Sequence, residues 1–369
     1  MKILHIDYDD IQNPWLGGGG ALHAFEINKR LASEHRVTMA TGNYPGALAE
    51  TDIQGIRWFH RGNARSYWQS RLSFSHQVRE LIQNESYDIL VEDTSAYTYP
   101  FSFRYTSRPK VAIVHHIMGF HSIKKLFIFG VIPYIWEKYN LSHFNDIIVG
   151  SSGTANAVIN LLKSKPVIHH IPYGFDQTLL KINPGESDYL LFFGRMDIYN
   201  KGIDLLLKAF ENIQENFPQI RLILAGRGRE QEKVKNLIAQ SKCKNKISFM
   251  GTITEAEKQN LLSQCLMLVM PSRFEGWGIA AVEAQACGKP VVGADIDGLK
   301  EAVVPGKTGL LSESENISAL AENISVLLQD GERRRRMGQN AREWSRRFSW
   351  DTIARDQLTI YQQIIDRNS

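Results

Sequence analysis

Two carboxylates stand eight positions apart in the stretch Glu275-Gly276-Trp277-Gly278-Ile279-Ala280-Ala281-Val282-Glu283. The glycines make a loop and the apolar residues after them open a helix. Backbone N–H groups at a helix start have no intrahelical partner, and the helix dipole there favours an anion. That is a place to hold a diphosphate. Glu283, about a turn and a half into the same helix, can accept hydrogen bonds from vicinal hydroxyls such as those of a ribose, while the loop carboxylate Glu275 can face a sugar. Arg195 and Lys201 flank Met196 to Asn200, directly after the apolar run Leu190–Phe193. Cations at the end of a strand neutralise the charge that builds on a departing nucleoside diphosphate, a task other enzymes give to a metal ion. Read together, these residues describe a sugar-nucleotide pocket that calls for no metal and no cofactor.

Gly17-Gly18-Gly19-Gly20 lies between a first apolar run and a helical pattern near Leu22, giving a loop whose backbone can approach a ligand closely; on its own such a run is equally a plain turn. Neither it nor Gly226-Arg227-Gly228 supplies the three glycines of a dinucleotide fingerprint, and no phosphate-loop pattern occurs, so dehydrogenase and P-loop readings lose their support. His115 and His116 end the run Val111–Val114. A ring there can bond a sugar hydroxyl or share a developing charge, or it can be a structural hydrogen-bonder.

What must position these groups is a pair of parallel sheets. Short runs rich in β-branched residues alternate with helical patterns: Ile3–Ile6, Val37–Ala40, Ile56–Phe59, Ile89–Val91, Val111–Val114, Ile147–Val149 and Val167–Ile171, then Leu190–Phe193, Leu222–Ala225, Ile247–Phe249, Leu266–Met270 and Pro290–Gly293. Continuous apolar strands separated by helices mean parallel sheets covered on both faces, so two doubly wound α/β domains are expected. At 369 residues the chain is long enough for two cores. Pro172, Gly174, Pro184 and Gly185 punctuate a polar stretch, which divides the domains as 1–172 and 173–347. Ligands of such sheets sit at the carboxyl ends of strands, so an interdomain crevice is the expected site.

A formal charge of +4 is too weak to argue for nucleic acid, though it suits an anionic ligand or membrane surface. Three cysteines without paired spacing (Cys243, Cys265, Cys287) suggest buried thiols in a reducing compartment. The N-terminus turns charged too soon for a signal peptide, and a cytoplasmic protein is the expectation. The apolar run Leu126–Trp136 is too short to span a bilayer. It reads first as a helix buried at a domain surface. Flanked by Lys124, Lys125 and Lys138, it has a second reading as an apolar patch in the interface of the inner membrane face. Arg333 to Arg336 reads as a solvated helix face, with lipid head groups as the lesser alternative. Zinc spacing, a Ser-His-Asp signature and an aromatic RNA-binding patch are all missing.

The segment Pro271-Ser272, Glu275-Gly276-x-Gly278 and Glu283-Ala284-x-Ala286-x-Gly288-x-Pro290-Val291-Val292 resembles the signature of family 4 of the retaining, nucleotide-sugar-dependent glycosyltransferases, which have the two-domain GT-B fold. Gly194-Arg195 with Lys201-Gly202, the Ala225-Gly226-x-Gly228 turn, the N-terminal glycine run and Pro305 to Leu311 extend the resemblance over most of the chain. It implies that Arg195 and Lys201 hold the diphosphate and Glu283 the ribose. Glu275 and His115 would lie at the sugar, with Glu275 as an electrostatic and positioning group and the leaving diphosphate taking the acceptor proton in a front-face reaction. Gly17, Gly18 and Gly19 would close over the donor; Gly226, Gly228, Thr252 and Ile253 would border the base, and Gly276, Trp277 and Gly278 would line the donor site. A last helix, about 348–369, would return to the N-terminal, acceptor-side domain. The implied reaction moves a hexose-type sugar from a nucleoside-diphosphate sugar, UDP-sugar by preference, to a hydroxyl of a glycan or lipid-linked acceptor, as in polysaccharide biosynthesis. Rivals are a sugar-nucleotide 2-epimerase of the same architecture and a non-catalytic sugar-nucleotide-binding subunit. Where the family often has Asn-Gly-Val-Asp, this chain has Tyr173-Gly174-Phe175-Asp176, and Tyr173 reads as shaping the acceptor side.

Overall fold

The computed structural model describes residues 1–15, 18–94, 98–117, 131–162 and 165–368. The chain divides into two compact units, Met1–Tyr173 with Trp350–Ser369, and Gly174–Ser349.

The first unit holds β1 (Lys2–Ile6), β2 (Arg36–Gly42), β3 (Glu50–Ile53), β4 (Ile56–Arg61), β5 (Ile89–Asp93), β6 (Lys110–Val114), β7 (Asp146–Val149) and β8 (Val167–His170), in the order β3-β4-β2-β1-β5-β6-β7-β8. Every pairing is parallel except β3 with β4. The central strands are buried along their length, which is why they read as unbroken apolar runs. The sequence reading misses β3, whose Glu-Thr-Asp-Ile alternates exposed and half-buried positions at the sheet edge. Its turn uses Gln54 and Gly55, both at positive φ (55° and 82°), as a two-residue hairpin requires.

Helices α1 (Gly19–Leu31), α2 (Tyr67–Asn84), α3 (Val131–Leu141) and α4 (Ser152–Leu161) follow strands of this sheet. Of the apolar run Leu126–Trp136, residues 126–130 lie outside the described residues, as do Lys124 and Lys125. The rest opens α3, and there the buried-helix expectation fails. Glu137, Asn140 and Leu141 face inward, while Ile132, Ile135, Trp136 and Tyr139 stay exposed.

The second unit holds a parallel sheet of β9 (Tyr189–Phe193), β10 (Arg221–Ala225), β11 (Ile247–Gly251), β12 (Met267–Met270), β13 (Val291–Ala294) and β14 (Gly309–Ser312), in the order β11-β10-β9-β12-β13-β14. Its helices are α5 (Ile198–Lys201), α6 (Ile203–Ile213), α7 (Gln231–Gln240), α8 (Glu255–Gln264), α9 (Ile279–Ala286), α10 (Leu299–Ala302), α11 (Ile317–Gln329) and α12 (Gly331–Ser345). Phe192, Ile203, Phe210, Leu222, Val269 and Ile324 belong to its core. In the arginine run Arg335 and Arg336 are exposed, as a solvated face requires, but one member departs from that expectation. Arg334 falls on the buried stripe of α12 with Met337 and Ala341, and pairs with Glu186 through two bonds of 2.9 Å.

The last helix, α13 (Trp350–Asn368), belongs to the first unit. It buries Trp350, Ile353, Ala354, Gln357, Tyr361 and Ile364 on one face and packs along α1. Arg30 reaches Asp351 at 2.5 Å, and Arg367 reaches Asp146 at 2.5 Å. Among the described residues no helix is long and apolar enough to cross a membrane.

Candidate functional site

In the second sheet the chain runs from β9 outward to β10 on one side and returns to β12 on the other. The carboxyl ends of β9 and β12 therefore flank the topological switch point, where ligands of open α/β sheets bind. The loop after β9 carries Arg195, Asp197 and Lys201. Asp197 caps the single turn α5 through the Asn200 N–H at 3.0 Å, and Gly202 closes it at φ +64°. A Cβ on Gly202 would lie 2.0 Å from the carbonyl oxygen of Pro271, so only glycine lets this loop press against the end of β12.

That approach sets Lys201 beside Glu275, with Nζ 2.5 Å from Oε2 and the side chains 16% and 13% exposed. The Glu275 loop is pinned by its neighbour Arg273, which donates two bonds to Asp204 (2.9 and 2.8 Å) and one to the Tyr199 carbonyl (2.9 Å). The bonds to Asp204 and Glu315 raise the guanidinium pKa further above its ordinary value. Gly298 seals the loop from the other side: a Cβ there would lie 2.4 Å from the Glu275 carbonyl oxygen.

Gly278 at φ +85° turns the chain into α9, and Glu283 sits inside that helix. It is buried, which raises its carboxyl pKa, and Lys258 opposes the rise through a 2.8 Å bond to Oε1. Lys258 also meets Glu255 at 3.0 Å, and burial notwithstanding, the two carboxylates hold the ammonium pKa above its ordinary value. Arg195 is exposed, and among the described residues its guanidinium has no hydrogen-bond or ion-pair partner. Gly226 and Gly228 press on the Arg195 loop: added Cβ atoms would lie 1.9 Å from the Gly194 carbonyl and 2.4 Å from that of Met196. Thr252 is exposed and Ile253 half-buried, just ahead of the capping box of Thr254 and Glu257 that starts α8. Gly276 continues the Glu275 loop. The Trp277 ring is buried against Phe348 at 5.4 Å, so its side chain serves the packing of the unit and not an open surface.

The first unit has its own switch point, between β1 and β5. Asp7 follows β1, Asp93 ends β5, and His115 follows β6. Asp93 lies 3.3 Å from His5 Nε2 and 3.4 Å from His115 Nε2. Against the effect of burial, His115 and His5 hold it below the usual carboxylate range. Burial, with Asp93 adjacent, pushes Asp7 well above that range. The Tyr173 hydroxyl bonds His115 Nδ1, which places this departure from the family pattern on the histidine itself. His23 of α1 stands 5.8 Å from the His115 ring; burial, then His115, lowers its pKa to about 3. Gly17 lies outside the described residues. Gly18 caps α1 with open space about it, Gly19 begins the helix, and a Cβ on Gly20 would lie 2.7 Å from the His115 ring.

The structure thus brings Lys201 to Glu275, and the Gly226 turn to the Arg195 loop. It gives Glu283 a partner, Lys258, that the sequence reading missed, together with Arg273, Gly298, Asp93 and His23. A signal existed for Asp93, an acid closing an apolar strand; nothing local ties Lys258 to Glu283. Among the described residues no group of three or more His, Cys, Asp or Glu is placed to hold a metal ion.

Two family models match in succession: Glycosyltransferase Family 4 over residues 17–179 and Glycosyl transferases group 1 over residues 180–344. An uncharacterised glycosyltransferase of Methanocaldococcus jannaschii is 27% identical over 368 residues, 99% of this chain and 100% of that one. A D-inositol 3-phosphate glycosyltransferase of Xylanimonas cellulosilytica is 32% identical over 188 residues, which span 50% of this chain and 44% of that relative. Among solved structures, sucrose-phosphate synthase from Thermosynechococcus elongatus superposes with a TM-score of 0.84 at 22% identity, covering 100% of both chains. The Anabaena protein HepE, solved in complex with UDP, gives 0.76 at 22% identity over 98% of this chain and 100% of its own.

Proposed function

We propose, for a chain that belongs to the group 1 glycosyltransferases, the retaining transfer of a hexose-type sugar from a UDP-sugar to a hydroxyl of a glycan or lipid-linked acceptor. The protein is a glycosyltransferase with the GT-B fold of two Rossmann-like α/β domains. The choice of UDP is supported by the complex of HepE, which is alike in fold.

The observation that carries the reading is the Lys201–Glu275 pair at the switch point of the second sheet, followed at once by the α9 start and Glu283. Lys201 and Arg195 take the diphosphate, and their charge stabilises the oxygen that leaves the anomeric carbon. Glu283 accepts from the ribose hydroxyls. Glu275, beside the sugar, supports the positive charge that develops as the glycosidic C–O bond breaks. The leaving phosphate oxygen removes the acceptor proton, the acceptor oxygen bonds the anomeric carbon from the same face, and the configuration is kept. We assign His115 to a sugar hydroxyl, with Asp93 holding its ring. Gly18 and Gly19 are assigned to the donor phosphates, and Gly226, Gly228, Thr252 and Ile253 to the edge of the base.

The test is a thermal-shift screen of UDP, GDP and ADP sugars, since a ligand that binds only the folded state raises its melting temperature. A UDP-sugar should give the largest shift, and chelator should leave both the shift and transfer unchanged. NMR of the product should show the donor's anomeric configuration. Conversion of the donor to its 2-epimer without acceptor would replace transfer by epimerisation, and an inverted product would remove the front-face step.

A further inference from the structure

We propose that the outer face of α3 docks the protein on an anionic lipid surface. This goes beyond the donor site and does not depend on it. Ile132, Ile135, Trp136 and Tyr139 recur at the spacing that lines one side of a helix, and they are 52%, 53%, 47% and 41% exposed. Large apolar side chains that line one exposed stripe, with tryptophan and tyrosine among them, are what a helix lying in a membrane interface presents. The eleven described residues of α3 are far too few to span a bilayer, and their apolar stripe runs along one side, as in a helix that lies in the plane of the interface.

The stripe is held rigidly and edged with positive charge. Phe101 packs against Trp136 and Tyr139 at 6.1 Å each, and Phe103 meets Tyr139 at 5.6 Å. Over this aromatic group lies the exposed guanidinium of Arg104, at 5.4 Å from Phe101 and 5.5 Å from Tyr139, donating to the Tyr139 hydroxyl at 3.1 Å. Through residues 98–117 and 131–145 the bases are Arg104, Arg108, Lys110 and Lys138, and the only acid, Glu137, is buried. An apolar stripe with bases and no exposed acid in its segments complements anionic head groups around an acyl interior.

The experiment is co-sedimentation of the full chain with vesicles of phosphatidylcholine and phosphatidylglycerol, against phosphatidylcholine alone. The protein should partition onto the anionic vesicles, with binding that falls as salt rises. Ile135→Ser/Trp136→Ser should weaken partitioning at least ~10-fold, through lost apolar burial. Arg104→Glu should weaken it by ~5-fold or more, the weight of about one base at an anionic surface. Both variants replace exposed side chains and should keep the wild-type melting temperature and the wild-type thermal shift with UDP-sugar. Equal binding to both vesicle types, or a double variant that partitions like the wild type, would overturn the proposal. So would a wild-type dimer in sedimentation velocity that the double variant abolishes, since a second copy would then own this face.

Discussion

Lys201 pairs with Glu275, and on the proposed assignment it also meets the donor diphosphate. Lys201→Ala should therefore cost turnover heavily, on the order of 100-fold or more, the usual loss when one donor to a developing oxyanion is removed. The melting temperature should fall as well, because Glu275 is left without its partner in a mostly buried setting, so turnover is compared at a temperature where the variant is folded. A variant that turns over at the wild-type rate would remove Lys201 from the diphosphate. Glu283 behaves differently, since it is buried and depends on Lys258. Lys258→Met leaves a buried carboxylate unpaired and should destabilise the fold by roughly 3–5 kcal/mol in urea titration, while Lys258→Met/Glu283→Gln should recover most of that. At this scale the sequence showed the acids and the cations after β9, because their spacing along one loop and one helix is local. It could not show Lys258, because residues 258 and 283 meet only once α8 and α9 have docked on the same sheet.

Among elements, the glycines separate two kinds of constraint. In Gly226→Ala the new Cβ meets a backbone carbonyl at a φ of +136°, so the fold should lose about 3 kcal/mol or more. In Gly20→Ala the new Cβ would lie 2.7 Å from the His115 ring, a side chain held by Tyr173 and Asp93, while alanine favours the helix by about 0.5–1 kcal/mol. Displacing the ring loosens its contacts to Tyr173 and Asp93, so stability should fall by about 1–3 kcal/mol, less than in Gly226→Ala, while donor turnover falls with the displaced ring; full turnover in the folded variant would detach His115 from the chemistry. The central strands were readable because burial on both faces demands unbroken apolar runs. The edges β3 and β14 were not: β3 is polar and half-exposed, and β14 is only four residues with two half-buried positions. Arg334 was misread for a related reason. A charge run along a helix looks solvated until one member, at the helical period of Met337 and Ala341, turns inward to a carboxylate supplied from Glu186.

For the whole molecule, His23 ties stability to pH. Its pKa is about 3 in the fold against an ordinary 6.5, so the unfolded chain binds the proton first. The contribution of the neutral ring is complete above pH ~6.5 and is lost as pH falls from there towards ~3, by about 2 kcal/mol between pH 7 and 5. Urea titrations at those two values should show this loss, and His23→Phe should flatten it; an unchanged slope would mean that other groups set the acid limit. The apolar patterns and turn residues made the two-unit division readable, yet they say nothing of where the chain's last stretch goes. That stretch has a consequence for truncation. Because α13 covers α1 across more than three hundred intervening residues, the amino-terminal unit is completed only by a segment that lies beyond the whole inserted Gly174–Ser349 unit, which needs nothing from that segment to close its own core. A released chain truncated after Ser349 should resist protease in its second unit and be cut in its first.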